Sequence, residues 1–592
     1  MAHLPDREYR AAHCHFTGEN MATEFQVSGN NASAPFTLKI HRGEGMALLA
    51  MNWRRGTPPL DFVGFAIQYR EPGGTRFFTL KNRLAFESTA GPPSTVQLST
   101  LVSPIQSFRW VHFPFNADMP GEFVYRVTPL FMNARDELSQ GLAQEAAIEL
   151  RRETFPGLMN MSFTRGFVSS QAFVDHFANQ DGISTLLPAK AEQGLVFKPT
   201  NPQAAKALAW MGFEARSALL ELLDQALADT TAKVSVVAYD LNEPEIVKRL
   251  EGLGARLRII LDDDGAHGKK SSGEAQAEQR LVASAGAAHV QRQHMGKLQH
   301  NKFIVVAGSA VQKVLCGSTN FSWRGLYVQA NNAVVLQGRK AVRLYTAAFE
   351  SYHAPGTVAD FSGSASASWQ PLGLKGIDAQ VAFSPHSSAN AVLTGIGQDI
   401  ASTTSSLFYS LAFLAQTPGV VKDAITKVSR STRFVYGMAD RALGGIVLNT
   451  PDGNVAPVSP AALTNNVPPP FKAEPTAGGG VRMHHKFVVI DFDKPSARVY
   501  MGSYNFSTAA DRSNGENLLL IRNRRVAVAC MVEALRLFDH YRFRVKQATA
   551  KATGSRKGLT LKKPPRRPGD KPWWDAHYND PHKVRDRLLF SA

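Results

Sequence analysis

His484-His485-Lys486-Phe487-Val488-Val489-Ile490-Asp491 decides the fold, and it has a near twin upstream in His300-Asn301-Lys302-Phe303-Ile304-Val305-Val306-Ala307. Each copy opens on His-x-Lys and continues as a short apolar run of the kind that forms a buried strand. Each is followed by a second signature, Gly317-Ser318-Thr319-Asn320-Phe321-Ser322 and Gly502-Ser503-Tyr504-Asn505-Phe506-Ser507. The His-to-Asn spacing is 20 residues in one copy (300 to 320) and 21 in the other (484 to 505). A repeated pair of signatures at matched spacing predicts an internal duplication.

The elements around the two copies recur in the same order. Ala204–Asp229 reads as an amphipathic helix, Lys233–Tyr239 as a strand, Glu243–Leu253 as a helix and Arg256–Leu261 as a strand. Later, Ala389–Thr403, Ser406–Leu411, Val420–Val428 and Arg433–Tyr436 repeat helix, strand, helix, strand. Each unit should form a mixed sheet covered by helices. Ala354–Ser368, small and polar, reads as the linker between them. Residues 438–480, with Pro468-Pro469-Pro470 and Gly478-Gly479-Gly480, read as a long insertion, either a lid or a surface excursion.

Upstream the texture is all β. Ala47–Trp53, Phe62–Arg70, Arg76–Leu80, Arg109–Phe115 and Phe123–Phe131 are apolar or alternating runs between turn residues. Trp53, the Gly64–Arg70 run and Phe123–Val127 resemble the landmarks of a fibronectin type III or immunoglobulin-like sandwich. The fold class is therefore α/β: a duplicated unit of mixed sheet and helices, preceded by a β-sandwich. The expected parts are residues 20–150 (sandwich), 195–355 (first lobe), 375–545 (second lobe) and 546–592 (a basic, aromatic tail).

At 592 residues the chain is too long for one core. No apolar run approaches the roughly 18 residues of a membrane span, and Met1–Arg10 lacks the apolar core of a signal peptide. With only three cysteines, a disulfide framework is not expected. These features read as cytoplasmic, with a non-classical export route left open. His13-Cys14-His15 reads as a terminal segment rather than a metal fragment, since no second ligand cluster has matching spacing. The formal charge is +17, and residues 551–592 hold eleven Lys/Arg against four Asp. Such an excess attracts an anionic membrane surface or nucleic acid. Pro572-Trp573-Trp574 and Tyr578 sit in this stretch, where they either stack on bases, lie at a membrane interface or staple the tail onto the rest of the chain. No obligate protein partner is evident.

Alternation along a strand points His300 and Lys302 the same way, and likewise His484 and Lys486. An ammonium neutralises a phosphate oxygen while the imidazole is free for nucleophilic or proton-transfer work. Asn320 and Asn505 can donate amide N–H groups, and Ser318 and Ser503 hydroxyls, to the same phosphate. His485 should face away from His484 and pack. Asp262-Asp263-Asp264, at a strand end, reads as a solvated turn, with a cation site as the alternative.

These motifs resemble the phospholipase D superfamily, whose signature is His-x-Lys, four residues, Asp, then Gly-Ser-x-Asn. The second copy matches fully through His484, Lys486, Asp491, Gly502, Ser503 and Asn505, while the first has Ala307 where Asp491 stands. The resemblance covers about residues 200–545. It implies two α/β lobes with the site on the pseudo-twofold axis between them, no metal or other cofactor, a largely structural Asp491, and a covalent phosphohistidine. It also implies a polar residue orienting each catalytic imidazole. Glu516 and Asn331 each lie 11 residues after the motif Asn (505 to 516, 320 to 331), so Glu516 is expected to hold His484 and Asn331 to hold His300. His300 would then be the nucleophile and His484 the acid, with Lys302, Lys486, Asn320 and Asn505 clamping a phosphodiester substrate. The activity implied is phospholipase D-type hydrolysis or transfer of phospholipid head groups. The alternatives are a metal-independent nuclease and a non-catalytic phosphate-binding scaffold.

Overall fold

The structure is a computed structural model that describes residues 25–87, 97–114, 116–150, 153–166, 186–354, 356–414, 417–440, 446–450, 455–458, 483–553 and 560–592. His13-Cys14-His15, Pro468-Pro469-Pro470 and Gly478-Gly479-Gly480 lie outside the described residues.

Each His-x-Lys run becomes the central strand of a sheet, Lys302–Ala307 in the first lobe and Lys486–Ile490 in the second. Its residues are apolar on both faces because helices cover the sheet on both sides. The first sheet has the order Met159–Phe163, Asn332–Gln337, Gln312–Gly317, Lys302–Ala307, Lys233–Ala238, Leu257–Leu261, Val290–Arg292. The second contains the matching series Asp378–Ser384, Glu516–Arg522, Arg498–Gly502, Lys486–Ile490, Ser406–Leu411, Phe434–Asp440. Pairing directions agree as well. Lys233–Ala238 runs parallel to Leu257–Leu261 and antiparallel to Lys302–Ala307, as Ser406–Leu411 does to Phe434–Asp440 and Lys486–Ile490. The duplication is thus structural as well as textual.

The first sheet takes its edge strand, Met159–Phe163, from upstream of residue 195, where the lobe was expected to begin. That strand is the counterpart of Asp378–Ser384, and its short apolar sequence gives no sign of which sheet it will join. The stretch read as a linker carries a capped helix, Val358–Ser362. The start of the long insertion is regular: Ile446–Asn449 and Val455–Val458 extend the second sheet to nine strands.

The Asp missing from the first copy has a replacement acting from the opposite side. Asp491 accepts from the backbone N–H of Thr404, Ser405 and Ser406, so it ties the end of its own strand to the start of Ser406–Leu411. In the first lobe, Asp229, just after the helix Ala204–Ala228, accepts from the N–H of Ala310 and Val311 in the hairpin that follows Ala307. A Cβ added at Gly308 would lie 2.1 Å from Asp229 Oδ2, so the acid occupies the space beside Gly308, next in the chain after Ala307.

The upstream β region is two packed antiparallel sheets. One has the order Gln26–Ser28, Phe36–Arg42, Ala47–Trp53, Arg109–His112. The other is built on Phe62–Arg70 and Glu122–Met132. Phe36, Phe62, Phe65, Phe108 and Tyr125 fill the space between them together with Trp573 and Trp574 from the C-terminal segment. The indole N–H of Trp573 donates to Phe62 O and that of Trp574 to Pro59 O. Further on, Phe590 stacks on Phe492 of the second lobe. These aromatic residues staple the tail in place and are not free to stack on bases.

Candidate active site

The lobes meet by exchanging backbone hydrogen bonds. His484 N–H donates to Ala330 O at 3.0 Å, and Gly515 N–H donates to Leu298 O at 2.8 Å. Each His-x-Lys segment therefore lies against the segment that follows the other lobe's Gly-Ser-x-Asn. The two histidines face each other, with ring centroids 6.4 Å apart. Both are 4% exposed. Lys302 Nζ lies over the Tyr239 ring and donates to His300 O, and Lys486 Nζ donates to His484 O.

This crossing reverses the expected pairing of orienting groups. Glu516 Oε2 accepts from His300 Nδ1 at 2.7 Å, and Asn331 Oδ1 accepts from His484 Nδ1 at 2.8 Å. Ser318 O also lies 3.1 Å from His484 Nδ1. Spacing along the chain matched each orienter to the histidine of its own lobe, but the lobe junction puts it against the other. In both rings Nδ1 carries the proton, so Nε2 is the free nitrogen.

The two motif serines serve the orienters rather than an open phosphate pocket. Ser318 Oγ donates to Asn331 Oδ1 and accepts from Asn332 N–H. Ser503 Oγ accepts from Asn517 N–H and donates to the Glu516 carboxylate. The motif glycines serve the sheet: a Cβ at Gly317 would meet Asn332 O at 2.5 Å and one at Gly502 would meet Asn517 O at 2.3 Å.

Burial dominates the charge states. It pushes both imidazoles well below the ordinary histidine value, helped by the ammonium groups of Lys302 and Lys486. It pushes Glu516 up to about 8, against the pull of Lys302. It lowers Lys302 to about 8, against Glu516, Asp240 and Asp262. A buried cluster of this kind is short of negative charge, and an anion between the lysines relieves it.

A third layer was missed in the sequence. Asp240 Oδ2 accepts one amide N–H of Asn320 at 2.6 Å, leaving the second for a ligand. Asp240 Oδ1 lies 3.0 Å from His267 Nε2, and His267 Nδ1 lies 2.7 Å from Asp262 Oδ2. Asp262 Oδ1 accepts from Gln299 N–H, immediately before His300. Burial opposes the charge on His267, but the hydrogen bonds to Asp240 and Asp262 outweigh it and hold the ring up to about 10. Asp262 is thus a buried strut and not part of a solvated turn. Asp240, His267 and Glu274 bring ligating atoms within 4.8 Å of one another, but both nitrogens of His267 are taken by carboxylates. The one available signal was the position of Asp240, two residues past the end of a strand neighbouring Lys302–Ala307. In the second lobe Phe413 takes the corresponding place, and Asn505 Oδ1 is buried with no partner among the described residues. His485, on the opposite face from His484, is bound at Nε2 by Glu533 of the long helix Arg524–Thr553.

The family model described as cardiolipin synthase, PLD-like domain matches residues 222–353 and 465–538, the two stretches that hold the paired motifs. No curated protein is similar enough in sequence to match. Among solved structures, the phosphatidylserine synthase of Haemophilus influenzae Rd KW20 is 12% identical with a TM-score of 0.40, over 59% of this chain and 94% of that one. The polyphosphate kinase of Porphyromonas gingivalis is 10% identical with a TM-score of 0.33, over 62% and 51%. The phospholipase D family member Nuc from Salmonella typhimurium is 24% identical with a TM-score of 0.19, over 23% and 84%. The matched stretches, each carrying one His-x-Lys strand of the facing pair, are phospholipase D-like domains.

Proposed function

We propose that the chain hydrolyses or transfers the head group of phospholipids through a covalent intermediate on His300. The observation that carries this reading is the pair of buried imidazoles with ring centroids 6.4 Å apart, each with Nδ1 fixed by the opposite lobe and Nε2 free. Lys302, Lys486 and the free amide N–H groups of Asn320 and Asn505 hold the nonbridging oxygens and stabilise the charge that grows on them in the transition state.

His300 Nε2 attacks phosphorus, forming an N–P bond as the P–O bond to the leaving alcohol breaks. Positive charge develops on the ring, and Glu516 at Nδ1 stabilises it. This gives His300 the nucleophile's role for a reason opposite to the amide contact expected from spacing. His484 gives its Nε2 proton to the departing alkoxide. Water, losing its proton to His484, then attacks phosphorus and breaks the N–P bond; an alcohol in its place makes the reaction a transfer. The proton on His484 arrives with the substrate, whose negative charge offsets the two lysines that keep the free ring neutral. Two observations support a lipid over a duplex nucleic acid. Trp573 and Trp574 are packed inside the sandwich, and the histidines are recessed where a flexible diester reaches more readily than a rigid helix. The sandwich serves in this reading as a scaffold.

The test is incubation of the purified protein, with EDTA, with phosphatidylcholine or phosphatidylethanolamine vesicles and, separately, with single- and double-stranded DNA. Phosphatidic acid should be released and a phosphatidyl adduct trapped by acid quench on His300; His300→Ala should show neither while unfolding at the same temperature. Full activity in His300→Ala would end the assignment. Cleavage of DNA alone would keep the chemistry and move the substrate to nucleic acid.

A further inference from the structure

A cleft of about 570 Å³ opens where the sandwich, the long helix Arg524–Thr553 and the C-terminal helix Pro581–Ser591 come together. None of its lining residues belongs to the His300–His484 site. Its volume is in the range of small-molecule sites, and junctions between domains are where such sites concentrate.

The charges around it divide into two groups. Arg109 lies between Asp539 and Asp586, bonded to both. Asp580 caps the C-terminal helix, accepting from His582 and Lys583 N–H. Arg536 is held by Glu533. The acids on the lining thus have partners. The side chains of Arg542, Lys546 and Lys583, also on the lining, have no hydrogen bond or ion pair among the described residues. They are close enough to act on one another. Lys546 is lowered by burial first, then by the charges of Arg542 and Lys583, with Asp539 opposing. His577 is lowered to about 3 by burial, then by Lys583, Arg109, Arg587 and Arg542. Beside these cations the wall is aromatic, with Trp110, Phe113 and Phe543.

The lining carries five cations, Arg109, Arg536, Arg542, Lys546 and Lys583, against three acids, Asp539, Asp580 and Asp586, an excess of positive charge that an anion would offset. We propose that this cleft is a second ligand site, taking a phosphate-bearing molecule whose phosphate lies between Arg542, Lys546 and Lys583 and whose body rests on Trp110, Phe113 and Phe543. A phosphate ester in free solution and the head group of an anionic lipid share this chemistry. Binding here does not require turnover at His300.

Calorimetric titration of the full chain carrying His300→Ala, with sodium pyrophosphate and with dihexanoyl phosphatidic acid, tests the site. Two equivalents of at least one probe should bind, one between the lobes and one in the cleft. Adding Lys546→Glu and Lys583→Glu should abolish one equivalent, or weaken it by about tenfold or more, and leave the other. Lys546→Gln with Lys583→Gln should weaken it less. On the native His300 background these surface changes should leave phosphodiester turnover and the unfolding temperature unchanged. A response to both probes places a phosphate ester in the cleft; a response to the lipid alone assigns it an anionic lipid. Identical isotherms with and without the charge reversals, or a single equivalent in both, would overturn the proposal.

Discussion

At the scale of residues, the proposed mechanism makes the free site an anion receptor. Burial and the two lysines keep His484 neutral when the site is empty, and in that mechanism it gains a proton when an anion occupies the site between Lys302 and Lys486. Its pKa in the complex is therefore higher than in the free protein. Affinity for a non-titrating anion such as sulfate should be full below the free-state value and fall as pH rises through the bound-state value. Loss of the Lys302 proton near its lowered pKa of about 8 adds to the decline. Titration of sulfate affinity against pH checks this; affinity that rose with pH would contradict it. Glu516, raised to about 8 in the free site, is driven to ionise as positive charge develops on His300; Glu516→Gln removes that response and should cut kcat by about two to four orders of magnitude with little change in KM. Asp240→Asn should act more weakly, about tenfold, because it only frees Asn320; the readout is kcat/KM together with a changed pH profile as His267 loses one of its carboxylates. His300, Lys302, Asn320, His484, Lys486 and Asn505 were legible in the sequence because two copies marked them. The partners of the imidazoles were legible as residues but not as pairs, because pairing is a property of the junction. Asp240 and His267 have no second copy, so repetition could not reveal them.

At the scale of elements, the two lobes solve one problem in mirror fashion. In each, a carboxylate fastens the His-x-Lys strand to its neighbour. The second lobe supplies it from the His-x-Lys strand through Asp491, and the first from the preceding helix end through Asp229. Each carboxylate accepts several backbone N–H groups, so removing it leaves those donors unsatisfied. Asp229→Ala and Asp491→Ala should each destabilise the protein by about 1–3 kcal/mol, read in denaturant unfolding, with the residual folded protein keeping the charge state of its histidines. The helix–strand–helix–strand series ahead of each His-x-Lys run, and those runs themselves, were readable from period and punctuation. The assignment of Met159–Phe163 to the first sheet was not, since a short apolar run carries no record of its neighbours.

At the scale of the whole molecule, the C-terminal segment completes the core of the first domain. Trp573 packs against Phe62 and stacks on Phe108. Trp573→Ala should cost about 3–5 kcal/mol, seen as a lower unfolding temperature, without changing the chemistry at His300. The basic composition of the tail was legible, but its aromatic residues fit several readings until the sandwich core was seen to contain them. The exchange of Glu516 and Asn331 across the lobe junction has a consequence for inheritance. The duplicated unit visible in the chain is not the unit that works. Each working half is a diagonal, His300 with Glu516 or His484 with Asn331, and neither diagonal can be passed on, swapped or redesigned by exchanging one repeat for another. A change at residue 300 is answered at residue 516, more than two hundred positions away, and the copy beside it has no say.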